Sequence, residues 1–389
     1  MTYDFDTIWQ RRGTSCVKWD CDEALDTTPL WVADMDFRVA KPIIDALRRR
    51  VEHGIFGYTH VPQRYYDSII RWFASRHQWH IEPDWILYTT GVVPALSVAV
   101  KALCNPGDKV LIQTPVYNCF FSSIRNNDCE VVESRLVQAA DGRWQADWED
   151  MERKAADPQV RLFVLCNPHN PCGRVWTKEE LMRMNDICIS HDVMVVADEI
   201  HCELVMPDHR YTPFASVSDD CLDNSITLSS PSKSFNTAGL QIANIICSSS
   251  TIRQRIDRAI NINEVCDVNP FGVDALIAAY DEGGEWIDQL CQYLWRNYQS
   301  LCQFFRQHLP HLPVTPLEGT YLVWVDCRSL GVDSGTLKHR LHDEAHVLVN
   351  SGTMYGEAGE GWIRINIACP QATLMQALEL MKPVLEKKQ

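Results

Sequence analysis

At 389 residues, with 36 basic against 51 acidic side chains and a net charge of −15, the chain is too long for one simple core. It is also too acidic for nucleic acid or an anionic membrane surface to be its main partner. Hydrophobic residues make up 46% of it, with 13 Trp, 12 Tyr and 12 Phe, which excludes a disordered chain.

No run of about 18 apolar residues exists, so no membrane span is expected. "MTYDFDTIWQRRGTS" carries acids early and no apolar stretch of the kind a secretory signal needs. Sixteen cysteines are scattered, many inside apolar runs (Cys104, Cys166, Cys188, Cys247), and no CxxC pair occurs. Disulfide scaffolds are short and loop-rich, so reduced thiols in a cytoplasmic protein are the expectation.

The first forty-odd residues are too irregular to fold alone and are expected to pack against a small C-terminal domain. From about residue 86, short β-rich runs alternate with helical patterns. Strands are predicted at Ile86–Thr89, Lys109–Gln113, Glu130–Val137, Arg161–Cys166, Val193–Ala197, Ser225–Leu228 and Asn244–Cys247. Helices are predicted at Ala95–Leu103, Lys178–His191 and Ile252–Ile260, and Thr177 with Glu180 fits a capping box. Such alternation predicts an α/β fold built on a mostly parallel sheet with both faces covered. After about residue 275 a long helical stretch (Trp286–His308) leads into "GTYLVWVDCR", a helix near Ser334–His346, "WIRINIA", and a terminal helix with Leu374, Met375, Leu378, Met381, Val384 and Leu385 at helical spacing. The predicted division is an N-terminal segment (1–45), a large domain (46–275) and a small α+β domain (276–389).

In open α/β sheets, ligands bind beyond the carboxyl ends of the strands. The residue types just after each strand are therefore a test for a site. "TGVVPA" places Gly91 at a helix start, where backbone N–H groups can hold an anion. "TPVYNCF" offers Tyr117 as a flat face, and "NPHNPCGR" is a tight turn with Asn167 and Asn170. "DEIH" brings Asp198 and His201, and "SSPSK" brings hydroxyls and Lys233. Each alone has an ordinary structural explanation; Lys233 is the exception. A lysine between buried strands is costly unless its amine is neutralised or covalently joined.

"NPHNPCG", "ADEIH" and "SPSKSFNTAGLQ", in this order, resemble the signature of pyridoxal-phosphate enzymes of the aspartate-aminotransferase fold type. "GTSCVKWD", "LWVADMDF", "FGYTH" and "SGTMYGEAGEGWIRINIACP" resemble one branch of them, the carbon–sulfur β-lyases of the MalY/PatB type. The resemblance implies a large domain with a seven-stranded, mostly parallel sheet, a smaller α+β domain, and bound pyridoxal 5′-phosphate. It implies that Lys233 forms a Schiff base with the cofactor, Asp198 pairs with the pyridine nitrogen, and Asn170 and His201 lie near the ring hydroxyl. Tyr117 then stacks on the ring, and Gly91, Val92, Val93, Ser230 and Ser232 hold the phosphate. Arg364 clamps the substrate α-carboxylate, with Asn170 also on the substrate side. Tyr58 reaches across a homodimer interface into the neighbouring site as a catalytic and substrate-contacting residue.

The activity implied is α,β-elimination from cystathionine or a related cysteine thioether, giving a thiol, pyruvate and ammonia. The alternative is a class I/II aminotransferase, which shares every step up to loss of the Cα proton. Many aminotransferases of this fold carry a phosphate-binding arginine eight positions after the lysine; here that position is Gln241, as in the lyase branch. Cys172, Trp362 and Gln371 stand where the family usually has threonine, phenylalanine and arginine, and they bear on the choice of substrate. A metal site from Cys166, Cys172, His201 and Cys202 is the competing reading, and it lacks the short regular ligand spacing zinc requires.

Overall fold

The computed structural model describes residues 2–20, 26–262 and 267–386. Its main sheet has seven strands: β1 (Ile86–Thr89), β2 (Lys109–Thr114), β3 (Glu130–Arg135), β4 (Val160–Cys166), β5 (Met194–Asp198), β6 (Ser225–Ser229) and β7 (Ala243–Ile246). Their spatial order is β1-β7-β6-β5-β4-β2-β3. The run from β6 to β3 is parallel throughout, whereas β7 is antiparallel to both of its neighbours.

Side-chain alternation puts both faces of the sheet to use. In β4, Leu162 and Val164 join Ala95, Leu96 and Ile256 in one apolar cluster. Phe163 and Leu165, between and beside them, join Leu181 and Met184 in another. The helices behind these contacts are Val92–Leu103 and Ser250–Asn261 on one face and Lys178–Ser190 on the other. The last begins with the expected capping box: Glu180 N–H donates to the Thr177 hydroxyl at 3.2 Å, and Thr177 N–H donates to the Glu180 carboxylate at 2.8 Å.

One strand is shorter than its sequence pattern. β3 stops at Arg135, and Val137–Gln138 pairs instead with Trp144–Gln145 in a separate hairpin. Leu136 N–H still bonds the carbonyl of Thr114, after which the sheet offers no further partner on that edge.

A second sheet holds β8 (Leu322–Asp326), β9 (Asn350–Ser351) and β10 (Trp362–Asn366), antiparallel, with β10 in the middle. The 25-residue helix Gly284–His308 packs against Gln371–Leu385 beside it. The stretch from Thr28 to Phe37 bridges the second sheet and the loop that follows β6. Thr28–Pro29 pairs parallel with Val347–Leu348, and Asn366 Nδ2 donates to the carbonyls of Val32 and Asp34 at 2.7 Å each. On the other side, Asn236 Nδ2 donates to the carbonyls of Met35 and Phe37 at 2.9 and 3.0 Å. Every cysteine among the described residues is a free thiol, and no described helix is long and apolar enough to cross a membrane.

Candidate active site

A cavity of about 680 Å³ opens at the carboxyl ends of the parallel strands, closed on its far side by the 31–33 segment and the second sheet. The register explains its floor. Cys166, Asp198 and Leu228 stand side by side at the ends of β4, β5 and β6, so the loops leaving these strands converge there. Gly91, Val92, Val93, Tyr117, Asn170, Asp198, His201, Ser232, Lys233 and Arg364 all line it.

At one end, the helix Val92–Leu103 starts at Gly91 without a side-chain cap. Its first N–H groups are therefore free for an anion, which the helix dipole also favours. Ser232 stands beside them. Ser230 does not line the wall: its hydroxyl donates to the carbonyl of Ile242 at 2.7 Å, accepts Ser232 N–H at 3.1 Å and is also bonded to the Ser232 hydroxyl. It acts on the cradle by shaping the Pro231–Ser234 turn from behind.

Three titratable groups face one another across the middle. Burial drives Asp198 up to about 7, against the opposing pull of Ile200 N–H and Lys233. Burial, and then the Arg364 guanidinium, bring Lys233 down to about 8, with Asp34 and Asp198 acting the other way. Burial also holds His201 well below the ordinary imidazole range, with Lys233 and Arg364 adding to it, so the ring is neutral. Its Nδ1 is buried without a partner. Lys233 Nζ donates to the carbonyl of Ala33 at 2.7 Å.

Arg364 arrives from β10. Its Nη1 donates to Asn170 Oδ1 at 3.0 Å and its Nη2 to the carbonyl of Trp31 at 2.7 Å, while its Nε is buried and unpartnered. Tyr117 is half-buried on the wall, with its hydroxyl raised by burial and then by the neighbouring Cys119 thiol.

These features fit a flat, phosphorylated aldehyde with a basic ring nitrogen. The uncapped helix start suits a phosphate, the buried Asp198 calls for a cation beside it, and the depressed Lys233 amine suits an aldehyde. The orphaned His201 nitrogen suits a ring substituent. Tyr58 is not part of this cavity. It is 96% exposed, next to the exposed side chains of Ile55 and Phe56.

The sequence profile described as "Aminotransferase class I and II" matches residues 30–380. The chain belongs to that family. Its fold is the aminotransferase-like fold that the motifs implied. The cystathionine β-lyase PatB of Bacillus subtilis (strain 168) is 41% identical over 386 residues, covering 98% of this chain and all of that protein. Protein MalY of Escherichia coli (strain K12) is 33% identical over 378 residues, 96% of each chain. The crystal structure of the pyridoxal-phosphate-bound C–S lyase from Staphylococcus hominis superposes with a TM-score of 0.92 at 32% identity, covering 98% of this chain and 99% of that one.

Within this family member, several wall residues carry no strand-end signal. Trp31, Val32 and Ala33 come from the N-terminal stretch, and Asn350, Met354 and Tyr355 come from the second sheet and the turn after it. The motifs "LWVADMDF" and "SGTMYGE", which contain all of them but Asn350, distinguish the branch but give no hint of contact with residues more than 300 positions away. Among the described residues, the four residues of the competing metal reading do not come together as one group of ligands. Cys166 Sγ accepts Asn170 N–H at 3.4 Å, and Cys172 faces the carbonyl of Pro115. Among the described residues the one grouping close enough for a metal is His77, Cys202 and Glu203. There Glu203 is already bonded by Trp72, Arg76 and His77.

Proposed function

We propose that the chain is a pyridoxal-phosphate-dependent carbon–sulfur β-lyase, cleaving cystathionine or a related cysteine thioether with water to a thiol, pyruvate and ammonia. One observation carries the proposal. A depressed Lys233 amine, the buried Asp198 and the Arg364 fork share one cavity in a chain that matches PatB along its whole length.

Bound pyridoxal phosphate supplies an electron sink conjugated to the substrate Cα. The chain supplies the rest. Arg364 presents a planar two-pronged donor to the α-carboxylate, a geometry lysine cannot copy. The Lys233 amine, with a pKa near 8 rather than above 10, takes the Cα proton as a general base. Loss of that proton and of the thiolate from Cβ leaves aminoacrylate, which takes a proton at Cβ to become the imine; water then hydrolyses the C=N bond to give pyruvate and ammonia. Asp198 sits where a cationic ring nitrogen would keep it ionised despite its burial. The helix start at Gly91 and the Ser232 hydroxyl would hold the phosphate, and Tyr117 would pack on the ring.

The active form is a homodimer in which Tyr58 enters the partner's cavity. The exposed Val51, Ile55, Phe56 and Tyr58 give an apolar surface suited to a second copy. Free thiols throughout the described residues suit the reducing cytoplasm.

The family also contains aminotransferases. Gln241, on the cavity wall, stands where many of them place a phosphate-binding arginine, which favours the lyase. Pyruvate release from cystathionine, assayed beside amino transfer to a keto acid, separates the two. A lyase makes pyruvate at a steady rate without added keto acid. Transfer without pyruvate would reverse the assignment.

A further inference from the structure

Arg364 is the centre of a cross-strand row. Trp324 in β8 and Asn350 in β9 stand directly opposite it, and cross-strand partners project from one face of a sheet. Asn350 does more than flank it. Its Nδ2 donates at 2.9 Å to the carbonyl of Trp31, the same oxygen that accepts Arg364 Nη2. The same Nδ2 donates to the hydroxyl of Tyr355 at 2.9 Å. The Tyr355 ring in turn lies 4.9 Å from the centre of the Arg364 guanidinium, with Trp324 edge-on to it at 5.5 Å. The circuit closes: guanidinium, Trp31 carbonyl, Asn350 amide, Tyr355, and back to the guanidinium through its π face.

Asn350 and Tyr355 are both buried, and neither has a role in the chemistry described above. Asn170 holds the remaining arm of the fork. Arginine carries large rotamer freedom, which a binding event must remove. Here that freedom is removed in advance.

We propose that Asn350 and Tyr355 are positioning residues that hold the Arg364 fork ready for one ligand class, the α-carboxylate of an amino-acid substrate. The assignment rests on the lyase reading only for the identity of that substrate. It makes selection for the carboxylate a property of the ring around Arg364 rather than of the arginine alone.

The test uses two probes titrated calorimetrically into the cofactor-loaded enzyme. They are 3-(methylthio)propanoate, which keeps the carboxylate and thioether but lacks the amine, and its carboxamide. Wild type is expected to bind the acid at least about tenfold more tightly than the amide. Asn350→Ala and Tyr355→Leu are expected to lose about tenfold in acid affinity with the amide unaffected. Tyr355→Phe, which keeps the ring and removes only the hydroxyl, is expected to lose less, and it remains informative if the larger changes fail to fold. In turnover of S-methylcysteine the loss is expected to fall on KM more than on kcat.

Equal weakening of acid and amide in the variants, or no preference for the acid in wild type, overturns the proposal. A loss confined to kcat does the same. If wild type makes no pyruvate from S-methylcysteine while the acid-selective pattern holds, the lyase reading fails and the positioning roles stand.

Discussion

The amine of Lys233 donates a 2.7 Å hydrogen bond to the carbonyl of Ala33, 200 positions earlier in the chain. That carbonyl also accepts the Tyr321 hydroxyl at 3.0 Å. It belongs to a row in which Trp31, Val32, Ala33, Asp34 and Met35 each present an oxygen to a side chain from elsewhere. The N-terminal residues tie this row down. Arg11 makes a two-pronged contact with Asp34 and reaches Asp36, and the fully buried Lys18 pairs with Asp36 at 2.8 Å. The two motifs "GTSCVKWD" and "LWVADMDF" therefore build one wall of the cavity together.

The Lys233 amine should titrate far below an ordinary lysine. Burial and Arg364 disfavour its charged form, so neutral amine accumulates as pH rises through about 8. In protein stripped of cofactor, the rate of pyridoxal-phosphate recapture is expected to climb about tenfold per pH unit below that value and to level off above it. An ordinary lysine would keep the rate climbing to about pH 10.

Lys18→Met should leave the Asp36 charge buried with one cation fewer. Breaking a buried pair on one side costs about 3 kcal/mol, less here to the extent that Arg11 and the Trp19 indole keep their bonds to Asp36. Urea unfolding of the variant is expected to show a lower midpoint with an unchanged slope.

Arg364→Lys keeps the charge and loses the fork. The expected outcome is a fall of about 100-fold in kcat/KM for an amino-acid thioether. The absorbance of the loaded enzyme should be unaltered, because the role proposed for Arg364 is to hold substrate rather than cofactor. Steady-state kinetics beside a spectrum measures both.

Tyr58 is so exposed in the single chain that the role proposed for it requires a partner. Hybrid dimers of Lys233→Ala and Tyr58→Ala chains pair one intact lysine with one intact tyrosine at a single site. Mixing the two inactive variants at equal amounts, under conditions that exchange subunits, is expected to restore roughly a quarter of the wild-type sites. No recovery after confirmed exchange would place Tyr58 outside the partner's chemistry.

Much of this was legible before the fold was known, for a reason rooted in topology. A parallel sheet sends all its strand ends to one edge, so Gly91, Tyr117, Asn170, Asp198, His201 and Lys233 could be gathered by reading one residue cluster per strand. Ser230 shows the limit of that reading, since neighbouring hydroxyls share a strand end yet only Ser232 faces the cavity. The wall from Trp31 to Ala33 and the pair Asn350 and Tyr355 were beyond it. Trp31 and Ala33 meet Arg364 and Lys233 because side chains from distant segments seek the carbonyls of an extended stretch, whereas Asn350 and Tyr355 meet Arg364 through strand register and ring packing; no local pattern encodes such a meeting. The premature end of β3 at Arg135 is a local case of the same kind: the Val137–Gln138 pattern still reads as strand, but its partner is a new hairpin.

The central claim is a covalent bond at one position. Borohydride treatment of the cofactor-loaded enzyme, followed by digestion and mass spectrometry, reads it directly. The expected result is a phosphopyridoxyl group on Lys233 alone, absent in Lys233→Ala together with the release of pyruvate. An unmodified Lys233 in an enzyme that still turns over would contradict it.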